Sequence, residues 1–326
     1  MVRELLTETV FFSPVQTQIA LVEQLMLAQA DGHLSELREA LNHLLSSGGK
    51  RIRPAVVLLF GEMLGADPDR LVTLVAAIEL LHTATLVHDD LIDGSLLRRG
   101  IPTINAHWSP AATVLTGDFV FARAARLAAE TDSVPVMRSF AQTLATIVSG
   151  EITQLFTRRG MVSREEYYRR IHAKTASLFE LAASAAALLS PVSEEVVEQA
   201  FQYGYEIGMA FQIMDDVLDF TAQQATMGKP VASDLRQGII TLPAFYYLET
   251  HPENQQLLTI ANEEFVSDEM VEDLVEAIRG SGAIDKSIDE ARQHVQRGID
   301  TLTLMPPCEA RQALVELARF ITDRRK

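Results

Sequence analysis

The sequence predicts an all-α fold, and three observations support this prediction. Apolar residues recur at intervals of three and four along most of the chain, as in Leu71, Leu74, Val75, Ile78 and Leu81, which is the period of a helix with one buried face. Capping residues occur where such segments begin and end. No segment alternates apolar and polar residues between turn-forming pairs, so we expect little β-sheet.

Three helix starts are marked by their capping residues. Asp67 is followed by Pro68, which puts a capping carboxylate ahead of a proline at the first helical position. Ser163 and Glu166 have the spacing of a capping box. Ser267 precedes an amphipathic segment that ends at glycine. The final segment, MPPCEARQALVELARFITDRRK, predicts a turn followed by a terminal helix.

The composition indicates an ordinary globular protein, with 48% hydrophobic and 22% charged residues. No linker or low-complexity stretch divides the 326 residues, so we predict a single domain over 1–326. The net charge of −16 argues against nucleic acid and anionic membranes as partners. The single cysteine, Cys308, excludes an internal disulfide. The N-terminus lacks the apolar core of a signal peptide, which predicts a cytoplasmic protein without a membrane anchor.

Two apolar segments each carry three aspartates. The segments are LVHDDLIDGSLLRRG at 86–100 and FQIMDDVLDF at 211–220. In each segment the first and last aspartates are four residues apart, so they share a helix face, about 6 Å apart along the axis. Carboxylates near apolar walls need cations to stay ionised. We therefore expect the six acids to face inward and bind a metal: Asp89, Asp90, Asp93, Asp215, Asp216 and Asp219.

Magnesium suits such a site because it accepts a few carboxylates, keeps waters and completes its shell with substrate phosphates. A calcium-binding EF-hand is excluded, because the loop glycine and the spaced oxygen ligands are missing. The basic residues collect in three places, namely Lys50, Arg51 and Arg53; Arg98 and Arg99; and Lys174 and Lys229. Arginine presents a planar fork to phosphate oxygens and lysine a point charge. Metal ions on one side of a phosphate group and guanidinium groups on the other are expected at a diphosphate site, which is therefore what these residues predict.

These segments resemble, in their order, those of the trans-isoprenyl diphosphate synthases, also called the polyprenyl synthetase family. The resemblance runs from about residue 45 to 245 and rests on GGKRIRP, LLHTATLVHDDLIDGSLLRRGIPT, AKTASLF, GMAFQIMDDVLDF and GKPVASDLRQGIITLP. It implies the isoprenoid-synthase fold, with many helices around a deep central cavity, and a homodimer. It also implies head-to-tail condensation of isopentenyl diphosphate with an allylic diphosphate. Residues 250–326 carry no matching motif.

The resemblance implies a role for each matching residue. Three bridging magnesium ions, or manganese in their place, would be held by Asp89, Asp93 and Asp215, with looser support from Asp90 and Asp219, and with Asp216 in the same set. The allylic diphosphate would be bound by Arg98, Lys174, Thr175, Gln212 and Lys229. Isopentenyl diphosphate would be bound by Lys50, Arg53, His82 and Arg99. The metal ions would stabilise the departing diphosphate as its charge grows, which makes Asp89, Asp93, Asp215, Lys174 and Arg98 the catalytic set.

Two further features bear on substrate and product. Ile239 stands where many relatives have a second lysine for the allylic phosphate, which implies slightly weaker binding of that substrate. Thr85, Ala84 and Leu81 lie successively further from Asp89 along the same helix, and short-chain relatives often carry aromatic rings at the first two positions. Because Thr85 and Ala84 are small, we predict an all-trans product longer than fifteen carbons, of about twenty to fifty.

Three alternatives remain open at this point. Glu79 and His82 have the Glu-x-x-His spacing of di-iron bundles, although the chain lacks the second copy that such bundles need. A terpene cyclase shares the fold and one aspartate motif, but its second motif normally mixes Asn, Ser or Thr, and Glu. A non-catalytic subunit of a heteromeric synthase would tend to lose aspartates, and all six are present here. The pattern therefore favours the synthase.

Overall fold

The computed structural model describes residues 10–46, 49–98, 100–157, 160–221, 231–263 and 266–324. In these ranges the chain is helical apart from turns and one short hairpin, which confirms the all-α prediction. The first helices are α1 (Gln16–Ala28), α2 (Ser35–Ser46), α3 (Ile52–Leu64), α4 (Pro68–Ile92), α5 (Ile104–His107), α6 (Pro110–Glu130) and α7 (Val134–Phe156). The hairpin pairs β1 (Leu97–Arg98) with β2 (Ile101–Pro102) in antiparallel register.

The later helices are α8 (Arg164–Ile171), α9 (Ser177–Leu188), α10 (Glu194–Thr221), α11 (Ser233–Arg236), α12 (Leu242–Thr250), α13 (Gln255–Asn262), α14 (Asp268–Gly280), α15 (Ala283–Thr301) and α16 (Glu309–Asp323). Short 3₁₀ turns cover Val10–Val15 and Leu302–Leu304, and a π-helical turn covers His172–Ala176 between α8 and α9. The predicted turn and terminal helix at the C-terminus correspond to the segment that ends in α16.

The predicted helix caps are confirmed. The carboxylate of Asp67 accepts hydrogen bonds from the backbone N–H groups of Asp69 and Arg70 at 3.1 and 3.0 Å. Ser163 and Glu166 form the reciprocal capping box at the start of α8. The hydroxyl of Ser267 accepts from the backbone at the start of α14. Each cap satisfies N–H groups that the first turn of a helix leaves without partners.

The chain contains two compact units, each built from separate stretches of sequence. Unit 1 comprises the described parts of residues 1–143, 178–204 and 301–317, and unit 2 those of 144–177, 205–300 and 318–326. The first aspartate motif and the basic segment at 49–53 belong to unit 1, whereas the second aspartate motif belongs to unit 2. The prediction of a single domain over 1–326 stays a prediction.

In unit 1 the central helix is α4, which packs along α6. Leu74, Val75 and Leu80 have no exposed surface. At the end of α4 the imidazole of His88 lies so close to Gly117 of α6 that a Cβ there would be 2.2 Å from Nε2. By length and composition α4 could cross a membrane, but 61% of its apolar window is buried inside the fold. It behaves as a core helix.

In unit 2 an apolar cluster surrounds the C-terminal end of α10. Phe220, Leu235, Ile240 and Leu274 are each at most 1% exposed and belong to this cluster. Because α10 carries the second aspartate motif within its last two turns, this packing fixes the end of the helix on which those carboxylates lie.

Candidate active site

The first aspartate motif lies at the C-terminal end of α4. Asp89 belongs to the last turn and is partly buried, whereas Asp93 follows the helix directly and is exposed. The backbone N–H of Asp93 donates to the carbonyl of Asp89 at 2.9 Å, so the two residues lie one helical turn apart. Asp90, between them, is only 6% exposed.

Asp90 is held by Arg98. The Nε of Arg98 donates to both carboxylate oxygens of Asp90 at 2.9 and 3.1 Å, and Nη2 lies 2.8 Å from Oδ1. The β1–β2 hairpin carries Arg98, and Gly100 in its turn has a φ of 76°, a conformation that favours glycine. Several charge-assisted hydrogen bonds therefore compensate the burial of this carboxylate. Arg99, the next residue, lies outside the described ranges.

The second aspartate motif lies near the C-terminal end of α10. Asp215 is partly exposed, and its Oδ1 is 3.1 Å from Nη1 of Arg324. Asp219 accepts hydrogen bonds from the backbone N–H groups of Ser233 and Asp234 at 3.1 and 3.2 Å. The carboxylate of Asp219 therefore ties the start of α11 to the end of α10.

Arg324 places a fixed cation beside Asp215. Its side chain is 1% exposed, its guanidinium lies 4.2 Å from the ring centroid of Phe211, and its Nε donates to the carbonyl of Ile321 at 3.1 Å. Burial lowers the pKa of Arg324, and the carboxylate of Asp215 acts in the opposite direction. This contact is not predictable from the sequence, because DRRK at the end of the chain is typical of a solvated segment.

Asp216 is buried and held by two hydrogen-bond donors. The hydroxyl of Tyr167 donates to Oδ2 and the amide nitrogen of Gln212 donates to Oδ1, both at 2.8 Å. The hydroxyl of Thr175 in turn donates to the amide oxygen of Gln212 at 2.6 Å. Burial raises the pKa of Asp216 well above its usual range, the carboxylate of Asp234 adds to this, and the two donors oppose it. This network fixes the side chains of Gln212 and Thr175.

A π-helical turn presents the two predicted allylic-site residues of AKTASLF. The turn spans His172–Ala176, and Ala173 packs so closely on Gly150 that a Cβ at that glycine would be 2.5 Å from the Cβ of Ala173. The Nζ of Lys174 lies 2.8 Å from a carboxylate oxygen of Glu151. π-helical turns are rare in proteins, and those that occur are often found at functional sites. No sequence signal predicted this one.

The basic segment of unit 1 lies against α4. Lys50 is exposed, and Nη1 of Arg53 lies 3.3 Å from Nε2 of His82. The guanidinium of Arg53 also lies 4.7 Å from the ring centroid of Phe179, a favourable cation–π distance. The structure therefore brings Arg53 and His82 together.

The three predicted chain-length residues differ in accessibility. Leu81 has no exposed surface, and Ala84 is 2% exposed. Thr85 is partly accessible, and its hydroxyl donates to the carbonyl of His82 at 2.8 Å. Of these three residues, Thr85 is the one with surface that a bound molecule could contact.

The two aspartate motifs share one arrangement. In each, the second aspartate is buried and bonded to protein donors, whereas the first and last remain at least partly accessible. Asp93 directly follows the end of α4 and is exposed, and the expectation that all six acids face inward stays a prediction. A buried carboxylate needs partners, and Asp90 and Asp216 have them.

The accessible carboxylates suit magnesium, which needs few protein ligands, better than they suit an ion that needs a full set of protein ligands. Among the residues that the structure describes, no three acidic, histidine or cysteine side chains lie close enough to hold a metal ion together. Each motif instead offers two oxygen-donor side chains one helical turn apart. Magnesium is commonly bound by one or two carboxylates, with waters and substrate phosphates filling its shell. The donor set therefore suits an ion that binds together with a diphosphate.

Tyr167→Phe tests the support of Asp216. At pH 9, above the raised pKa of Asp216 of about 8, we expect it to lower the free energy of unfolding by about 1.5–3 kcal/mol, because the buried, ionised carboxylate loses one of its two donors. Tyr203→Phe is the matched control, because Tyr203 is equally buried and donates to a neutral acceptor, the carbonyl of Leu314, at 2.8 Å. For this control we expect a loss of about 0.5–1.5 kcal/mol. Urea unfolding followed by circular dichroism measures both, and a smaller loss for Tyr167→Phe would contradict this role.

Two of the predicted site residues lie outside the described ranges, and two residues that contact the aspartates were not predicted from the sequence. Arg99 and Lys229 lie outside the described residues. Tyr167 and Arg324 contact aspartates of the second motif but were absent from the sequence-based set. The sequence separations of these contacts are 49 and 109 positions (216 minus 167, and 324 minus 215), and a single sequence gives no signal for a pair so far apart.

A family model, curated relatives and solved structures all indicate the same protein family. Residues 34–278 match the family model for polyprenyl synthetase. The heptaprenyl diphosphate synthase component 2 of Bacillus subtilis (strain 168) is 36% identical over 89% of this chain and 83% of its own length. The octaprenyl diphosphate synthase of Escherichia coli (strain K12) is 34% identical over 93% and 94% of the two chains. A crystal structure of polyprenyl synthase from Caulobacter crescentus CB15, complexed with calcium and isoprenyl diphosphate, superposes with a TM-score of 0.91 at 34% identity, covering 100% and 98%.

Proposed function

The chain belongs to the polyprenyl synthetase family and is a prenyltransferase, and we propose that it condenses isopentenyl diphosphate head-to-tail with an allylic diphosphate. The product is an all-trans polyprenyl diphosphate longer than fifteen carbons, of about twenty to fifty. The observation that carries this proposal is the arrangement shared by the two aspartate motifs, in which the second aspartate is buried and the first and last are at least partly accessible. The long-chain synthases among its relatives support the product class.

The accessible aspartates are the proposed metal ligands. Asp89 and Asp93 in one motif, and Asp215 and Asp219 in the other, would hold magnesium ions, three in the family arrangement, with manganese as the alternative. When bound, these ions would act as Lewis acids that stabilise the departing diphosphate. The chain's own contribution is to keep the ligand-bearing helix ends in place, which the bonds of Asp90 and Asp216 support.

Isopentenyl diphosphate would bind at the basic segment of unit 1. Lys50 and Arg53 supply charge, and His82 supports the guanidinium of Arg53 from α4. Arg99 is the fourth proposed residue of this site. A cationic site without metal suits this substrate, because its diphosphate must stay attached while its double bond attacks the allylic carbon. Lysine and arginine bind the phosphate oxygens without acting as Lewis acids on the C–O bond.

The allylic diphosphate would bind to a second set of side chains: Arg98, Lys174, Thr175, Gln212 and Lys229. In the free protein Lys174 is paired with Glu151, so the phosphate has to compete with that carboxylate. Ile239 contributes no charge at the position where many relatives have lysine. We therefore propose a somewhat weaker hold on the allylic phosphate than in those relatives.

A homodimer is the proposed assembly. Val148, Ile152 and Leu155 of α7 are 47%, 52% and 53% exposed, and their spacing of four and three places them in one stripe along the helix. Exposed apolar stripes commonly mark interfaces. Light scattering coupled to size exclusion should give twice the chain mass of 36.0 kDa, and a monomer would contradict the proposal. We also propose a cytoplasmic location and a single domain over 1–326.

One assay tests the function and separates it from its rivals. The purified chain is incubated with magnesium, labelled isopentenyl diphosphate and farnesyl diphosphate, and the prenyl diphosphates are extracted and counted. We expect label in the extract from this chain alone. Label that appears only after a second polypeptide is added would indicate a heteromeric synthase, as the name of the Bacillus subtilis relative suggests for that protein. A cyclic hydrocarbon would indicate a terpene cyclase.

A further inference from the structure

Arg51 lies between Lys50 and Arg53, yet its side chain binds protein carboxylates. Nη1 of Arg51 is 3.3 Å from Oε2 of Glu79 on α4, and Nη2 is 3.0 Å from Oε1 of Glu23 on α1. The side chains of Arg51 and Glu79 are only 10% and 9% exposed. A guanidinium paired in this way is not available to a phosphate, so its role differs from that proposed for its neighbours.

The backbone at Arg51 is in an unusual conformation. Its φ is 48° and its ψ is 28°, the left-handed region, and it directly precedes the first residue of α3. A residue with a Cβ adopts this conformation at a cost, which glycine avoids. Something in the surroundings must therefore hold residue 51 in place. Within the described residues, its side chain makes the two ion pairs and a longer contact of 3.5 Å from Nη2 to the carbonyl of Leu45, and its own carbonyl accepts from the backbone N–H of Ala55 at 3.1 Å; of these contacts, the ion pairs are specific to an arginine at this position.

The same face of α4 contacts alternate residues of the basic segment. Glu79 and His82 are three residues apart, which places them on one side of the helix. Glu79 binds Arg51, and His82 contacts Arg53 at 3.3 Å. The Glu-x-x-His spacing that could have indicated a di-iron site is thus accounted for by these two contacts with the basic segment.

Stability alone does not explain the Arg51–Glu79 pair. Removing two charges from water is expensive, and a buried ion pair is often no more stabilising than apolar side chains of similar size. The Nε of Arg51 is buried and has no hydrogen-bond partner among the residues that the structure describes, which adds to this cost. The strained residue is itself a member of this imperfectly compensated ion pair, and local backbone strain of this kind is often found at functional sites.

We propose that Arg51 is a positioning residue for isopentenyl diphosphate: its ion pairs with Glu79 and Glu23 hold residue 51 in the left-handed conformation, which sets the directions in which Lys50 and Arg53 leave the backbone. This inference rests on the proposed function, which assigns Lys50 and Arg53 to that substrate. It adds a residue that does not touch the substrate but determines how those that do are arranged.

Two substitutions at one position separate backbone conformation from charge. Arg51→Ala and Arg51→Gly both remove the ion pairs, but only alanine resists the left-handed conformation. We expect Arg51→Ala to raise the KM for isopentenyl diphosphate by about tenfold, and Arg51→Gly by about threefold or less. Glu79→Gln, which keeps the shape of Glu79 and removes its charge, should raise the same KM. The kcat and the KM for the allylic substrate should stay within about twofold in all three.

Binding measurements and controls make the result decisive. Calorimetry of isopentenyl diphosphate without metal should give the same order of affinities as the KM values. Leu127→Ala, in the core of α6, should lower the melting temperature without changing either KM. Equal affinities for Arg51→Ala and wild type, or a loss of affinity in Leu127→Ala as large as in Arg51→Ala, would overturn the inference. If Lys50→Ala also binds normally, the substrate assignment itself fails; if only the Arg51 variants bind normally, the proposed function stands.

Discussion

Asp89→Asn is expected to lower kcat by about 10²–10³-fold, because it removes one negative charge from the carboxylate pair that is proposed to hold magnesium on α4. The substitution keeps the shape of the side chain. Asp89 is partly accessible and near the end of its helix, so we expect the melting temperature to change little. Steady-state kinetics at saturating substrate and magnesium measure the effect.

Asp69→Asn is the matched control for this substitution. Asp69 lies in the first turn of the same helix and is exposed, so the same change of charge there should leave kcat unaltered. Asp90→Asn is expected to differ from Asp89→Asn. It weakens the ion pair with Arg98, so it should lower the stability of the fold as well as the activity. Equal losses in Asp69→Asn and Asp89→Asn, or wild-type kcat in Asp89→Asn, would contradict the proposed metal ligands.

Thr85→Phe is expected to shorten the product by one or more five-carbon units. Thr85 lies one turn before Asp89 on α4 and, unlike Leu81 and Ala84, has accessible surface. A phenyl ring there would occupy the space along which we propose that the prenyl chain grows. Mass spectrometry of the extracted products measures chain length directly.

Thr83→Phe is the control for the product-length prediction. Thr83 is also partly accessible, but a separation of two residues places it about 200° around the helix from Thr85. We expect the wild-type product from Thr83→Phe, and an unchanged product from Thr85→Phe would mean that the chain does not pass there. Ala84→Phe is a weaker test, because Ala84 is 2% exposed and overpacking costs about 1–3 kcal/mol.

Local signals in the sequence were sufficient for the helix boundaries that it predicted. Asp67, Ser163 and Ser267 each cap a helix as expected, since the capping interaction involves residues two or three positions away. The same locality explains why the spacing of the aspartates was informative. Residues four apart on a helix lie one turn apart whatever the rest of the chain does.

The difference between the aspartates within a motif depends on tertiary contacts that the spacing of the motif does not indicate. Asp90 and Asp216 look the same in sequence as their neighbours, but one is bound by an arginine on a hairpin and the other by Tyr167 on α8. Arg324 reaches Asp215 from the C-terminal end of the chain. These contacts depend on tertiary packing, as does the π-helical turn that allows Ala173 to approach Gly150.

The most direct test of the account is the dependence of product formation on a divalent ion. The purified protein is given isopentenyl and farnesyl diphosphates with magnesium, then with an excess of chelator, then with magnesium restored, and the products are identified by mass. We predict prenyl diphosphates longer than fifteen carbons in the first and third reactions and none in the second. Full turnover in the presence of chelator, or no elongation in any reaction, would contradict the claim that these aspartates carry out metal-dependent prenyl transfer.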